Sequence, residues 1–246
     1  MDSAAAATPT QVAAPKPHAH SVSATLSVET AAALIDHTLV RADATRDDIT
    51  RLCAEAVHHH FASVCVNACY VSLACTELRN SSVKVASTVG FPLGATLTDV
   101  KLKEATEVLR LGARELEIVM NIGALRSGDS LFVEADIRGI ADLAHRYGAA
   151  VKVAIETALL NHEQKEMACR IAQAAGADFV KTSTGFSPTG ATVEDVELLR
   201  SIVGPRFGVK ASGGVRNAAQ MRSLVAAGAN RIGTSAGVAI LRELQS

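Results

Sequence analysis

Residues 151–183 read VKVAIETALLNHEQKEMACRIAQAAGADFVKTS, and this stretch contains the pattern that decides the fold. Two short runs rich in β-branched residues, Val151–Glu156 and Phe179–Ser183, flank a helix-like stretch, Glu163–Ala175. The Ala-Gly-Ala turn at Gly176 fits a left-handed helix C-cap that leads into the second run. A strand, a helix and a second strand in this order predict one β-α-β unit of a parallel sheet.

The same unit repeats along the chain, with similar turns at Gly112 and Gly228. The other six apolar runs are Leu34–Leu39, Ser63–Asn67, Lys84–Gly90, Glu115–Asn121, Gly208–Gly213 and Arg231–Ser235. Further helix-like stretches are Thr45–His60, Thr98–Leu111 and Asn217–Ala227. Thr45 and Asn217 suit helix N-caps. Eight such units in 246 residues predict an α/β protein built as a single (β/α)₈ TIM barrel.

The first 27 residues differ from the rest of the chain. Residues 1–27 are rich in Ala, Ser, Thr and Pro without periodicity, so we expect a disordered tail there and the barrel domain over residues 28–246. The tail has neither the continuous apolar stretch of a secretory signal nor the arginines of a mitochondrial presequence. The five cysteines match no disulfide framework. We therefore expect reduced thiols and a cytoplasmic protein.

Composition argues against several classes of partner. The net charge is -1, which offers no electrostatic attraction for nucleic acid or an anionic membrane. No apolar run approaches the ~18 residues of a membrane span. Of the eight histidines, three form the run at residues 58–60 and no metal-binding motif is present. We expect no nucleic acid, membrane or metal partner, and a homo-oligomer, either a dimer or a tetramer.

Lysines occupy an unusual place in the predicted strands. Because strand side chains alternate in direction, Lys152 should face the barrel interior while its valine neighbours pack against the helices. Lys181 and Lys210 recur on the next two strands, and Glu117 and Asp36 are the available acids. A lysine at the rim could simply be solvated. Three lysines on successive strands instead favour a functional cluster, because buried charges must be paired.

Crowded lysines have a chemical consequence. Ammonium groups destabilise one another and loss of water acts in the same direction, so one lysine should titrate near neutral pH. A neutral lysine amine attacks carbonyl carbons and forms Schiff bases. Lys181 and Lys210 lie near the ends of adjacent strands and suit the roles of nucleophile and charged neighbour.

Glycine-rich segments follow the last strands of the predicted barrel. They cover residues 211–216 and 233–237, the positions where barrels commonly bind phosphate with backbone N–H groups. Residues 185–190 could add further donors. Glycine is also the default turn residue, so plain turns remain the alternative.

Specific motifs now identify a resemblance. They are Ile35–Leu39, Val85–Pro92, Val151–Thr157, Gly176–Phe186, Val209–Arg216 and Arg231–Ser235. In these motifs the chain resembles the deoxyribose-phosphate aldolase family of class I aldolases, from about Leu34 to Ile240. The resemblance implies that Lys181 is the Schiff-base lysine and that Lys210 favours its neutral form.

The resemblance also implies roles for other residues. Lys152 and Asp36 correspond to members of a proton-relay network, and Glu117 occupies the position of the acid that transfers protons. The substrate and its phosphate would be held by Thr184, Gly185, Gly213, Gly214, Ser235 and Ala236. No metal or organic cofactor is implied.

Two departures from the family pattern bear on the site. The family usually carries Asp where this chain has Glu117, and one extra methylene could displace the carboxylate by ~1 Å and slow the reaction ~100-fold unless the site has adjusted. A usual Ser-Ser pair reads Ser235-Ala236 here. The backbone N–H of Ala236 could still meet a phosphate.

The expected reaction is the reversible cleavage of 2-deoxy-D-ribose 5-phosphate to D-glyceraldehyde 3-phosphate and acetaldehyde. The alternatives are a Schiff-base aldolase or transaldolase for another sugar phosphate, and a non-catalytic paralogue that binds sugar phosphate. The departure at Glu117 supports the paralogue. A phosphate-binding isomerase barrel would have no need for three lysines.

Overall fold

A computed structural model describes residues 26–246, in which eight parallel strands form a closed barrel. The strands are β1 (Ile35–Leu39), β2 (Ser63–Val66), β3 (Lys84–Val89), β4 (Glu115–Val119), β5 (Ala150–Ala154), β6 (Phe179–Lys181), β7 (Gly208–Ser212) and β8 (Arg231–Thr234). Each strand pairs with the next, and β8 closes the ring onto β1 with Gly233 beside Asp36. The predicted α/β TIM barrel is confirmed.

Ten α-helices cover the outside of the barrel in the described part of the chain. They are α1 (Val28–Leu34), α2 (Arg46–His59), α3 (Val71–Glu77), α4 (Thr98–Arg110), α5 (Ile122–Arg126), α6 (Ser130–Arg146), α7 (His162–Ala174), α8 (Val193–Val203), α9 (Ala218–Ala226) and α10 (Gly237–Gln245). None of them is long and apolar enough to span a membrane. The predicted runs extend past several strands because they included residues where the backbone already leaves the sheet.

Local signals mark the helix ends as expected. Thr45 caps α2 through a capping box with Asp48, and the Asn217 side chain accepts the N–H of Gln220 at the start of α9. Gly176 adopts a φ of 82°, the left-handed conformation that lets α7 turn into β6. These local signals at the helix ends favour the same helix boundaries as the complete barrel.

The barrel strands separate two environments. Val151, Val153 and Ile155 are fully buried in the apolar layer between strands and helices, as their alternation predicts. Lys152, between them in sequence, is also fully buried but on the inner side. An additional helix that the sequence patterns do not predict, α1, begins after Ser27, whose side chain accepts the N–H of Thr30. The predicted tail otherwise lies outside the described residues and stays a prediction.

Candidate active site

Seven charged side chains fill the interior of the barrel, and we call them the barrel ion cluster. They are Asp36 of β1, Glu115 and Glu117 of β4, Lys152 of β5, Lys181 of β6, Lys210 of β7 and Arg231 of β8. The six other than Arg231 are buried, and the Arg231 side chain is 14% exposed. Burial of this many charges is tolerable because each one contacts at least one opposite charge.

Glu117 lies between the two lysines of β6 and β7. The ammonium of Lys181 donates a hydrogen bond of 2.5 Å to Oε2 of Glu117, and Lys210 contacts Oε1 of the same carboxylate. Lys181 and Lys210 are register partners in the sheet. Parallel register therefore brings together two cations that the sequence separates by a whole helix, as their expected roles require.

Asp36 forms the centre of the cluster. Its carboxylate accepts hydrogen bonds of 2.6 Å from both Lys152 and Lys210, and one of 2.7 Å from Arg231. Ser63 donates a fourth, of 2.6 Å. Asp36 thus connects the expected relay residue Lys152 to Lys210, and through Glu117 to Lys181.

The electrostatics follow from these contacts. Burial alone would raise the pKa of Asp36, but Lys152, Lys210 and Arg231 hold it well below its usual value. Burial would likewise raise the pKa of Glu117, yet the three lysines lower it. Burial would lower the pKa of Lys210, but the carboxylates of Asp36 and Glu117 raise it. Lys210 therefore stays charged beside Lys181.

A cavity of about 320 Å³ opens at the carboxyl ends of the strands and reaches Lys181. Its lining includes five of the six residues expected to hold substrate and phosphate, which are Thr184, Gly185, Gly213, Gly214 and Ser235. Lys152 and Lys210 are fully buried below it. Lys181 is the lysine among the described residues that line the cavity, and its side chain is 4% exposed.

The glycine-rich turns pack against each other at the cavity edge. The N–H of Ala191 donates to the carbonyl of Gly213, and a Cβ on Gly190 would lie 1.9 Å from that carbonyl oxygen. Gly213 and Gly214 both adopt positive φ angles. Close backbone approach at Gly190 and Gly213, and positive φ at Gly213 and Gly214, thus explain why these positions are glycine.

Ala236 is the exception among the expected phosphate ligands. It does not line the cavity, and its N–H donates a hydrogen bond of 2.9 Å to Oγ1 of Thr234. Ala236 instead precedes α10. The backbone donor expected to replace the missing serine hydroxyl therefore already has a partner in this structure.

Three further buried or partly buried residues lie at the site beyond those predicted to act in it. Arg231 and Glu115 belong to the barrel ion cluster, and Glu156 accepts hydrogen bonds from the N–H and the hydroxyl of Thr184. Strand alternation could have found Glu115, which is two residues before Glu117. Glu156 adopts a left-handed φ of 55°, a conformation that no alternation pattern predicts for glutamate.

Aromatic rings form the apolar side of the site. Phe91, in the loop after β3, packs edge to face with Phe186, with ring centroids 5.2 Å apart. The Lys181 nitrogen lies 6.0 Å from the centre of the Phe91 ring. The rings thus place apolar surface on one side of Lys181, opposite in character to the Glu117 carboxylate.

Comparison with known proteins identifies the family. Residues 30–245 match the DeoC/LacD family aldolase profile. A deoxyribose-phosphate aldolase of Aciduliprofundum boonei is 54% identical to the chain, and the match covers 86% of this chain and 95% of that protein. A deoxyribose-phosphate aldolase of Thermococcus gammatolerans is also 54% identical, over 84% of this chain and 93% of that protein. A tetrameric deoxyribose phosphate aldolase from Aeropyrum pernix superposes with a TM-score of 0.85 at 38% identity, covering 89% of this chain and 93% of that one. The chain therefore belongs to the DeoC/LacD family of aldolases.

Proposed function

We propose that this aldolase reversibly cleaves 2-deoxy-D-ribose 5-phosphate to D-glyceraldehyde 3-phosphate and acetaldehyde, with Lys181 as the Schiff-base nucleophile. The observation that carries the proposal is the placement of Lys181 at the cavity with its nitrogen on the Glu117 carboxylate. Relatives at 54% identity bear the name of this activity. A carbon–carbon lyase is the enzyme class that results.

Schiff-base formation is the first step. The Lys181 ammonium loses a proton to Glu117 or to water, and its nitrogen attacks C1 of the open-chain aldehyde. The resulting carbinolamine takes back a proton on its hydroxyl group, loses water and becomes a protonated imine, which withdraws electrons from the neighbouring carbons. Lys210 keeps its charge and therefore favours the neutral form of Lys181 before attack.

Carbon–carbon cleavage follows at the C3 hydroxyl. A base removes the hydroxyl proton, the C2–C3 bond breaks, and its electron pair moves to form an enamine on Lys181. Glyceraldehyde 3-phosphate leaves, C2 of the enamine gains a proton, and hydrolysis of the imine releases acetaldehyde. Glu117, acting through a water, is our candidate for these proton transfers because its carboxylate contacts Lys181. Asp36 and Lys152 hold Lys210 and Glu117 in place.

The phosphate end of the substrate is assigned to the glycine-rich edge of the cavity. Gly213 and Gly214 present backbone at positive φ, and Ser235 follows β8 on the same side. Thr184 and Gly185 lie in the loop that follows the Lys181 strand and line the cavity, so they suit the sugar portion. The cavity volume lies in the range for small-molecule sites.

The test is reductive trapping with borohydride in the presence of acetaldehyde, followed by peptide mass spectrometry. We expect a two-carbon adduct on Lys181 and none in Lys181→Met. The exposed Lys103 of α4 offers a matched control, since Lys103→Arg should leave the adduct in place. An adduct on another lysine, or none in the parent, contradicts the proposal.

The alternative enzymes are separated by substrate comparison. A transaldolase or an aldolase for another sugar phosphate would cleave fructose phosphates faster than deoxyribose 5-phosphate. The support for a non-catalytic paralogue was the glutamate at position 117. That support is weakened by the contacts of Glu117 with both Lys181 and Lys210, because they keep its carboxylate beside the proposed nucleophile despite the extra methylene.

Assembly and location form part of the same proposal. We expect a homo-oligomer, since the relative from Aeropyrum pernix is described as tetrameric. We also expect a cytoplasmic protein without nucleic acid or membrane partners, and the predicted division of the chain into an N-terminal tail and a barrel domain of residues 28–246. Size-exclusion chromatography with light scattering measures the assembly, and limited proteolysis locates the start of the domain.

A further inference from the structure

The barrel ion cluster contains unequal numbers of acids and bases. Its acids are Asp36, Glu115 and Glu117, and its bases are Lys152, Lys181, Lys210 and Arg231. With all seven ionised, the cluster has one positive charge in excess. An uncompensated charge in a buried site is unfavourable, so the cluster favours loss of one proton.

Contacts within the cluster decide which base gives up that proton. Lys210 contacts two carboxylates, those of Asp36 and Glu117, and Lys152 contacts these two and Glu115 as well. Among the carboxylates of the described residues, Lys181 contacts that of Glu117 alone, and it is the lysine that lines the cavity. Loss of its proton sacrifices the fewest ion pairs and leaves three acids matched by three bases.

Two members of the barrel ion cluster lie far from the cavity. Arg231 and Glu115 are the first residues of β8 and β4, at the amino-terminal end of the barrel, and they contact each other at 3.3 Å. Arg231 forms no direct ion pair with Lys181 among the described residues, and the two are linked through intermediate members of the cluster, for example Asp36, Lys210 and Glu117. Neither residue lines the cavity.

We propose that Arg231 and Glu115 are positioning residues that set the charge state of Lys181 from the opposite end of the barrel interior. Arg231 keeps the cluster in positive excess, so Lys181 is the base that becomes neutral. Glu115 limits the excess to one charge through its contacts with Lys152 and Arg231. The inference rests on the proposed function, because it concerns the nucleophile of that reaction.

The remaining titratable groups near the cluster are neutral, solvated or paired elsewhere. Glu156 directs its carboxylate to Thr184 and forms no ion pair with a member of the cluster among the described residues. Cys65 of β2 faces it, but burial and the nearby Glu117 raise the pKa of this thiol to about 12, so it stays neutral. Lys84 at the start of β3 lies 3.6 Å from Glu115, with a side chain that is 56% exposed and therefore solvated. From the loops, Arg41 and Arg216 line the cavity and are exposed to solvent. The other strands contribute the seven members already counted.

The experiment compares the acid limb of the kcat/KM profile in charge variants. Arg231→Gln removes the excess positive charge, so Lys181 should keep its proton to higher pH and the acid limb should move to higher pH. Glu115→Gln adds to the excess positive charge, so the acid limb should move to lower pH. A unit charge about 10 Å away shifts a titration by about one pH unit, so kcat/KM below the limb should change about tenfold.

Two further variants separate charge from packing. Arg231→Lys keeps the charge, and the double variant Arg231→Gln/Glu115→Gln restores one excess charge, so both should titrate near the parent. A merely structural role would lower kcat in the single variants without moving their limbs in opposite directions, and that result overturns the proposal. If Arg231→Gln fails to fold, Glu115→Gln alone tests the proposal. An acid limb that stays in place or moves to higher pH in Glu115→Gln then overturns the proposal.

Failure of the inference is distinguishable from failure of the proposed function. If the parent enzyme gives no acetaldehyde adduct on Lys181, the proposed function is wrong and this inference fails with it. If the parent forms the adduct and cleaves deoxyribose 5-phosphate, but the limbs of the charge variants do not move oppositely, only the inference is wrong.

Discussion

Lys181 and Lys210 are register partners on β6 and β7, and they contact the two different oxygens of one carboxylate, that of Glu117. One lysine reaches the cavity and the other is fully buried. The buried lysine also pairs with Asp36. This arrangement gives the two lysines different chemistry although both lie in similar Val-Lys segments.

Removal of the buried cation should impair the nucleophile. In Lys210→Met the cluster loses the charge next to Lys181, so the acid limb of kcat/KM should move to higher pH and kcat should fall about 100-fold or more. Steady-state kinetics across pH measure both effects. Lys165, which pairs with Asp195 outside the barrel, provides the control: Lys165→Met should keep the parent profile.

The glutamate at position 117 is open to a direct test. Because the family resemblance places Asp at this position, we expect Glu117→Asp to keep or raise turnover, while Glu117→Gln loses about 100-fold because it cannot transfer a proton. Initial rates with deoxyribose 5-phosphate compare the three proteins. Complete loss in Glu117→Asp would mean that the site is built around the longer side chain.

Glu156 should act on substrate binding through Thr184. Its carboxylate accepts both the N–H and the hydroxyl of Thr184, and the cavity is lined by residues 184–186 of this loop. Glu156→Gln should therefore raise KM about tenfold with a smaller change in kcat. Steady-state kinetics measure kcat and KM separately. A fall of about tenfold in kcat with an unchanged KM would instead place Glu156 in the chemical step.

The turn at Gly190 should not accept a side chain. A Cβ there would overlap the Gly213 carbonyl and displace the proposed phosphate site, so Gly190→Ala should raise KM at least about tenfold. Gly139 of α6 is the matched control, because its Cβ would meet Leu102 at an ordinary 3.6 Å. Gly139→Ala should leave KM unchanged and stabilise the helix by about 0.5–1 kcal/mol.

Stability should depend on acid through the barrel carboxylates. The pKa values of Asp36 and Glu117 are lowered in the folded protein, from 3.8 and 4.5, so their contribution is complete above those unfolded values and is lost as pH falls below them. Urea unfolding at about pH 6 and about pH 3 should reveal this loss. The exposed Glu163 gives the comparison, since Glu163→Gln should leave the pH dependence unchanged.

Much of the fold could be read from local sequence patterns. The alternation of Val151, Lys152 and Val153 predicted both the strand and the inward direction of the lysine, because strand geometry has a period of two residues. Turns such as that at Gly176 were equally local, because a left-handed C-cap needs only the conformational freedom of one residue. Family motifs then indicated Lys181 as the nucleophile.

The tertiary structure alone decided how the charges are shared. Asp36 and Arg231 are 195 residues apart in the chain, and they meet because β8 closes the barrel onto β1. The left-handed backbone of Glu156 and the hydrogen bond that occupies the Ala236 N–H likewise depend on neighbouring loops. The sequence by itself determined which side chains enter the barrel, because direction along a strand is local. Which carboxylate each base contacts is set by register and closure across strands, so it emerges only when the ring is complete.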